Sequence, residues 1–140
     1  MLKNAKAQIT ATPICLLFLI ALHSSLSAAD NRLIGTWRVE VVKGHAVFDK
    51  AKTELLLAED GSVSTTVGCN RIAGKSKIDG DRITFGTMAS TMMACLDPLA
   101  QLEASYVATL RATRSFQIEG PKLTFLDDAK TDLVVFSRVK

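Results

Sequence analysis

Apolar positions along this chain recur mostly at a spacing of two, in short runs separated by glycine and aspartate turns, and only one stretch carries a helical period. Gly35 to Val41 alternates strictly. Trp37, Val39 and Val41 share one face and Thr36, Arg38 and Glu40 the other, which predicts a half-buried strand anchored in the core by Trp37. Glu54 to Ala58 reads as a second strand, returned by the turn Glu59-Asp60-Gly61 into a strand carrying Val63, Thr65 and Val67. Past Cys69 the parity changes: Val63 and Val67 are odd-numbered, Ile72 and Ile78 even. A one-residue shift within an alternating stretch predicts a β-bulge or sharp bend at Gly68 to Arg71. Asp79-Gly80-Asp81 makes the next hairpin, followed by Arg82 to Phe85 and a short segment at Thr87 to Thr91.

There the period switches. Asp97 is an N-cap candidate and Pro98 a first helical residue, whose missing N–H costs nothing at that position. Leu99, Leu102, Tyr106 and Leu110 follow at helical spacing, so a helix is predicted over 98–113 with one apolar stripe against the sheet. Ser115 to Glu119, Lys122 to Leu126 and Asp132 to Val139 are three closing strands. About eight short strands and one helix, with no linker or repeat between them, make the fold class mainly β. The architecture predicted is a small lipocalin-like antiparallel β-barrel or a strongly curved sheet, because closure removes exposed strand edges.

The N-terminus changes the picture of where this fold works. Lys3 and Lys6, the apolar run Ile14 to Leu22 and the small residues Ser27-Ala28-Ala29 read as a signal peptide over residues 1–29, leaving a single domain over 30–140. The apolar run is less than half of the roughly 20 residues that a membrane-crossing helix needs, so the processed chain is not expected to span a membrane. Cys15 follows Ile14 and precedes most of the apolar run, which argues against lipid attachment there. Two of the 17 basic residues lie in the leader, so the domain is close to neutral against its 14 acidic ones. Its basic clusters, Lys43, Lys50 and Lys52, then Arg71, Lys75 and Lys77, are interleaved with Glu54, Asp79 and Asp81 and lack alternating aromatics. Nucleic acid is not expected as a partner.

Export also bears on Cys69 and Cys95. In an oxidising compartment such a pair is expected to form a structural disulfide; two buried free thiols, or a redox or metal role, are the competing readings. Metal and cofactor binding are not expected, since His45 is the only histidine after the leader and two cysteines with one distant histidine fall short of a tetrahedral set. Asp127, Asp128 and Asp132 lack the spacing and glycine of a calcium loop. Catalysis by Ser90 or Thr91 would need His45 as base, and no convergent set is apparent. Asn70 and Arg71 form the more informative polar pair. Asn70 is expected either in a left-handed conformation or bonded to a facing turn, and Arg71 in an ion pair with Glu103.

Taken in order, Gly35-Thr36-Trp37, Gly68-Cys69-Asn70-Arg71 with Gly74, Ser90-Thr91 with Met93-Ala94-Cys95, and Glu103 in the helix resemble the META-domain (HslJ-like) family, from about Leu33 to Val139. Ile72 and Met92 depart from its pattern, standing where it usually has an aromatic and an arginine or other polar residue. The resemblance implies a small barrel with one helix in a bacterial envelope protein linked by name with heat shock and stress tolerance. It brings no catalytic set. It implies structural roles instead: Trp37 in the core, Gly68 and Gly74 for backbone geometry, Cys69 and Cys95 as a cross-link, and Asn70, Arg71 and Glu103 for polar fixation, with Thr91 and Met93 as further residues of the structural motif.

The function expected is therefore binding without turnover by a periplasmic or secreted monomer, with an envelope protein as partner. Inhibition of a secreted protease or lysozyme by a rigid loop at Thr87 to Cys95, or carriage of a small apolar ligand, are the alternatives.

Overall fold

The computed structural model describes residues 31–48 and 53–140; the leader, Lys50 and Lys52 lie outside them. Ten strands are described: β1 (Gly35–Val42), β2 (His45–Ala46), β3 (Glu54–Leu57), β4 (Ser62–Thr66), β5 (Arg71–Asp79), β6 (Arg82–Phe85), β7 (Ala89–Ser90), β8 (Ser115–Glu119), β9 (Lys122–Leu126) and β10 (Asp132–Arg138). Among the described residues there is one helix, α1 (Leu99–Ala112), between β7 and β8. All pairings are antiparallel. They run β10-β9-β8-β6-β5-β4-β3-β1-β2, and β10 pairs back onto β1, so the sheet closes into a ring. Eight strands form that ring, the number expected from the sequence; the two-residue strands β2 and β7 hang on β1 and β5.

The alternating residues point where the pattern places them, with one correction. Trp37 and Val39 are fully buried, but Val42, not Val41, continues the inner face. The register against β10 slips between Val39 and Val41, and this bulge moves every later side chain of β1 to the other face. At Gly68 to Arg71 the sharp bend is formed and the β-bulge is not: residues 67–70 turn the chain between β4 and β5, a hairpin in which Thr66 faces Arg71 and Thr65 faces Ile72. Paired positions of odd sum reverse parity across the turn, so Thr65 and Ile72 are both inward and both buried.

Helix α1 matches the predicted stripe in Tyr106 and Leu110, which are buried, and in Leu102, which packs against the core. Its start differs. Pro98 occupies the N-cap position, no side chain caps the first turn, and Asp97 is exposed. The ring interior is filled by Trp37, Tyr106, Phe125, Phe136, Leu33, Leu55, Leu57 and their neighbours, with Phe125 edge-on to Phe136 at 4.8 Å between centroids. Trp37 donates its indole N–H to the Leu33 carbonyl at 2.8 Å. Tyr106 and Thr65 bond at 2.9 Å, and the Thr65 hydroxyl also bonds the Glu54 carbonyl at 2.8 Å. The single threonine proton goes to that carbonyl, so the tyrosine is the donor, and burial pushes the Tyr106 phenol well above its ordinary pKa. Among the described residues no helix is long and apolar enough to cross a membrane.

Candidate functional site

The motif residues converge where the β4–β5 turn meets the long connection from β6 to α1. Cys69 and Cys95 are bridged, with Cα atoms 5.9 Å apart, inside the range a disulfide requires. Beside them Asn70, only 6 % exposed, uses nearly every hydrogen-bonding atom it has. Its backbone N–H donates to Glu103 Oε2 at 2.9 Å and its side-chain amide to Glu103 Oε1 at 2.8 Å, so helix and turn are joined by both carboxylate oxygens. Its Oδ1 accepts from the Thr91 hydroxyl and from the Met93 backbone N–H, each at 2.8 Å. Thr91 completes the junction: its Oγ1 accepts from the Arg71 N–H at 3.0 Å, and its own N–H donates to the Arg71 carbonyl at 3.0 Å.

Two glycines allow this convergence. Gly68 sits at φ +101°, in the left-handed region, and a Cβ there would lie 3.0 Å from Glu103 Cβ and 3.1 Å from the Leu99 carbonyl. Gly74 is different. A Cβ on it would lie 2.8 Å from the Thr87 carbonyl, so its role is to let the β6–α1 connection cross β5 closely.

The sequence expectations for this corner hold in outline and fail in one pairing. Asn70 bonds a facing segment and is not left-handed. Arg71 does not meet Glu103. Its side chain is exposed beside Thr36, Glu54 and Thr66 on the outer face of the sheet, and the bonds to Glu103 come from Asn70. The alternation explains the error: residues 70 and 71 point to opposite sides at the start of β5, and only one of them can face the helix.

What the junction holds up is a surface. Met92 is 96 % exposed, Leu96 82 % and Met93 63 %, three large apolar side chains on one connection pinned at both ends. Next to them lies an open groove of about 440 Å³, floored by Ala100, Ala104 and Val107 of α1 and bounded by Asn70, Glu103 and Arg111. Leu96 and the groove were not singled out from the sequence as a site. The available signal was the presence of three large apolar residues between Ser90 and Asp97, a stretch with no periodicity to bury them.

Cys69, Cys95 and Glu103 bring three potential metal-ligand atoms within 4.8 Å of one another, but both sulfurs are consumed by the bridge and neither is a thiolate. His45 is exposed on β2, and among the described residues no hydroxyl or carboxylate is hydrogen-bonded to its ring.

A family model described as "META domain" matches residues 31–140. Among solved structures, an NMR structure of a protein from Burkholderia xenovorans is 21 % identical, covers 100 % of this chain and 99 % of that one, and superposes with a TM-score of 0.61. Another NMR structure is 24 % identical over 76 % of this chain and 92 % of that chain, with a TM-score of 0.62. The crystal structure of a DUF4847 family protein from Bacteroides vulgatus is 15 % identical over 82 % and 96 %, with a TM-score of 0.57. At these identities the structures are similar in fold. No curated protein matches.

Proposed function

This chain belongs to the META domain family, and on that premise we propose that it is a non-enzymatic binding protein whose contact surface is the cross-linked connection carrying Met92, Met93 and Leu96. The observation that carries the reading is the contrast between anchorage and exposure. The backbone of this segment is fixed by a disulfide and by the Asn70 bonds, while its largest side chains face solvent. A backbone fixed before binding leaves only side-chain rotamers to be ordered when a partner docks, and methionine adapts to irregular pockets. Such a patch on a stable domain marks an interaction site. Its partner is an extracytoplasmic protein, and its setting the periplasm or the outside of the cell, where the disulfide forms and persists. The part it plays there is the stress tolerance implied by the resemblance to heat-shock-linked envelope proteins.

Inhibition of a secreted hydrolase is a special case of this reading, favoured by the same rigidly held, protruding segment. Carriage of a small apolar ligand is less well supported, because the ring interior is occupied by its own side chains. Photo-crosslinking from position 92 in envelope extracts tests the proposal. A discrete adduct is expected, absent when the crosslinker is moved to the β8–β9 turn at Glu119 and abolished by Leu96→Asp. Adducts of equal yield from both positions contradict it. A panel of envelope proteases and lysozymes, assayed for lost activity, separates inhibition from other binding.

A further inference from the structure

We infer that reduction of the Cys69–Cys95 bridge converts this corner into a site for one thiophilic divalent cation of the zinc type, held by both thiolates and the Glu103 carboxylate. The three donor atoms already lie within 4.8 Å of one another. A tetrahedral zinc ion, with bonds of about 2.3 Å to sulfur and about 2.1 Å to oxygen, needs its donors roughly 3.5 to 3.8 Å apart, so only side-chain rotations are required. The backbone need not follow. Asn70 joins the same two segments through Thr91 and Met93, and holds the helix through Glu103, by bonds that do not depend on the bridge.

Asn70 also supplies what a ligating carboxylate needs around it. Its amide donates to Glu103 Oε1 at 2.8 Å and lies 3.4 Å from Cys95 Sγ, orienting one donor and placing an N–H beside another. The fourth coordination position faces the groove, which Cys95 and Glu103 both line, leaving room for water or an external ligand. Two thiolates favour soft or borderline ions over calcium and magnesium.

The chemistry balances with a dithiol as reductant. Two electrons from the dithiol break the S–S bond, each sulfur takes up one proton, and the reductant leaves as its own disulfide. The cation then displaces the two thiol protons as it binds, so occupancy rises with pH and exists only in the reduced protein.

Cobalt(II) is a suitable probe. Anaerobic titration of protein reduced with a water-soluble phosphine is expected to show one cobalt per chain with thiolate-to-cobalt charge-transfer absorption, displaced by zinc; the oxidised protein shows none. Glu103→Gln weakens the cobalt affinity at least tenfold, and Cys69→Ser removes the tight site. Because reduction itself lowers stability, the thermal midpoint of reduced protein is followed in parallel. Zinc raises it in the parent, and by less at the same zinc concentration in Glu103→Gln. Equal cobalt affinity in parent and Glu103→Gln, or no zinc-dependent rise in the reduced parent, overturns the proposal.

Discussion

Asn70 is the residue through which the corner is organised, and its chemistry makes a sharp prediction. Asn70→Asp keeps size and the Oδ1 acceptor for Thr91 and Met93, but replaces the donor that faces Glu103 Oε1 at 2.8 Å with a second carboxylate. Two like charges at that distance raise the pKa of one carboxyl in the folded state above its unfolded value near 4. Stability carried by a raised pKa is present below the unfolded pKa and lost as pH rises through the folded one. Urea unfolding of the variant should therefore match the parent near pH 4 and fall about 2 kcal/mol or more behind it at pH 7; a pH-independent deficit contradicts this. Gly68→Ala should cost about 1 to 3 kcal/mol, since it combines a left-handed backbone with a Cβ in contact with the helix. The importance of Asn70 could be read from its place beside Cys69, but its partner could not: nothing in sequence spacing says whether residue 70 or 71 faces Glu103, and only the hairpin register decides it.

At the scale of elements, the disulfide ties a turn to a connection that has almost no regular structure of its own. Closing the 26-residue separation removes loop entropy from the unfolded chain worth about 3 to 4 kcal/mol, so Cys69→Ser and Cys95→Ser should lose similar stability, and the double variant little more than either. Equal unfolding midpoints for parent, reduced parent and single variants would show that the bridge contributes nothing. Helix α1 is held by few buried side chains, so Leu110→Ala should destabilise by about 2 to 5 kcal/mol. The helix was legible because its stripe breaks the strand period. Its N-terminus was not, since an Asp-Pro pair signals a cap only when the aspartate turns toward the first turn, and here it does not.

The molecule as a whole is a ring closed by β1 on β10, with its only tyrosine and only tryptophan buried inside. That single tyrosine gives a global readout. Its raised pKa means that the folded state keeps the phenol neutral beyond the ordinary value near 10, with stability lost as pH rises above it. Tyrosinate absorption should appear in alkali only together with unfolding, as reported by Trp37 fluorescence; phenolate formation in folded protein contradicts the packing. Eight ring strands were legible from alternation and turns, whereas the bulge in β1 and the short strands β2 and β7 were not, because a two-residue pairing leaves no period to detect.

The central claim is that Asn70 and the disulfide hold the connection bearing Met92, Met93 and Leu96 in one conformation before any partner arrives. Amide hydrogen exchange at Met93 tests it most directly, because that N–H has Asn70 Oδ1 as its acceptor in an otherwise exposed segment. Protection of the Met93 amide well above that of an unstructured peptide, lost in Asn70→Ala, is the predicted result. Exchange at the unprotected rate in the oxidised parent protein would contradict it.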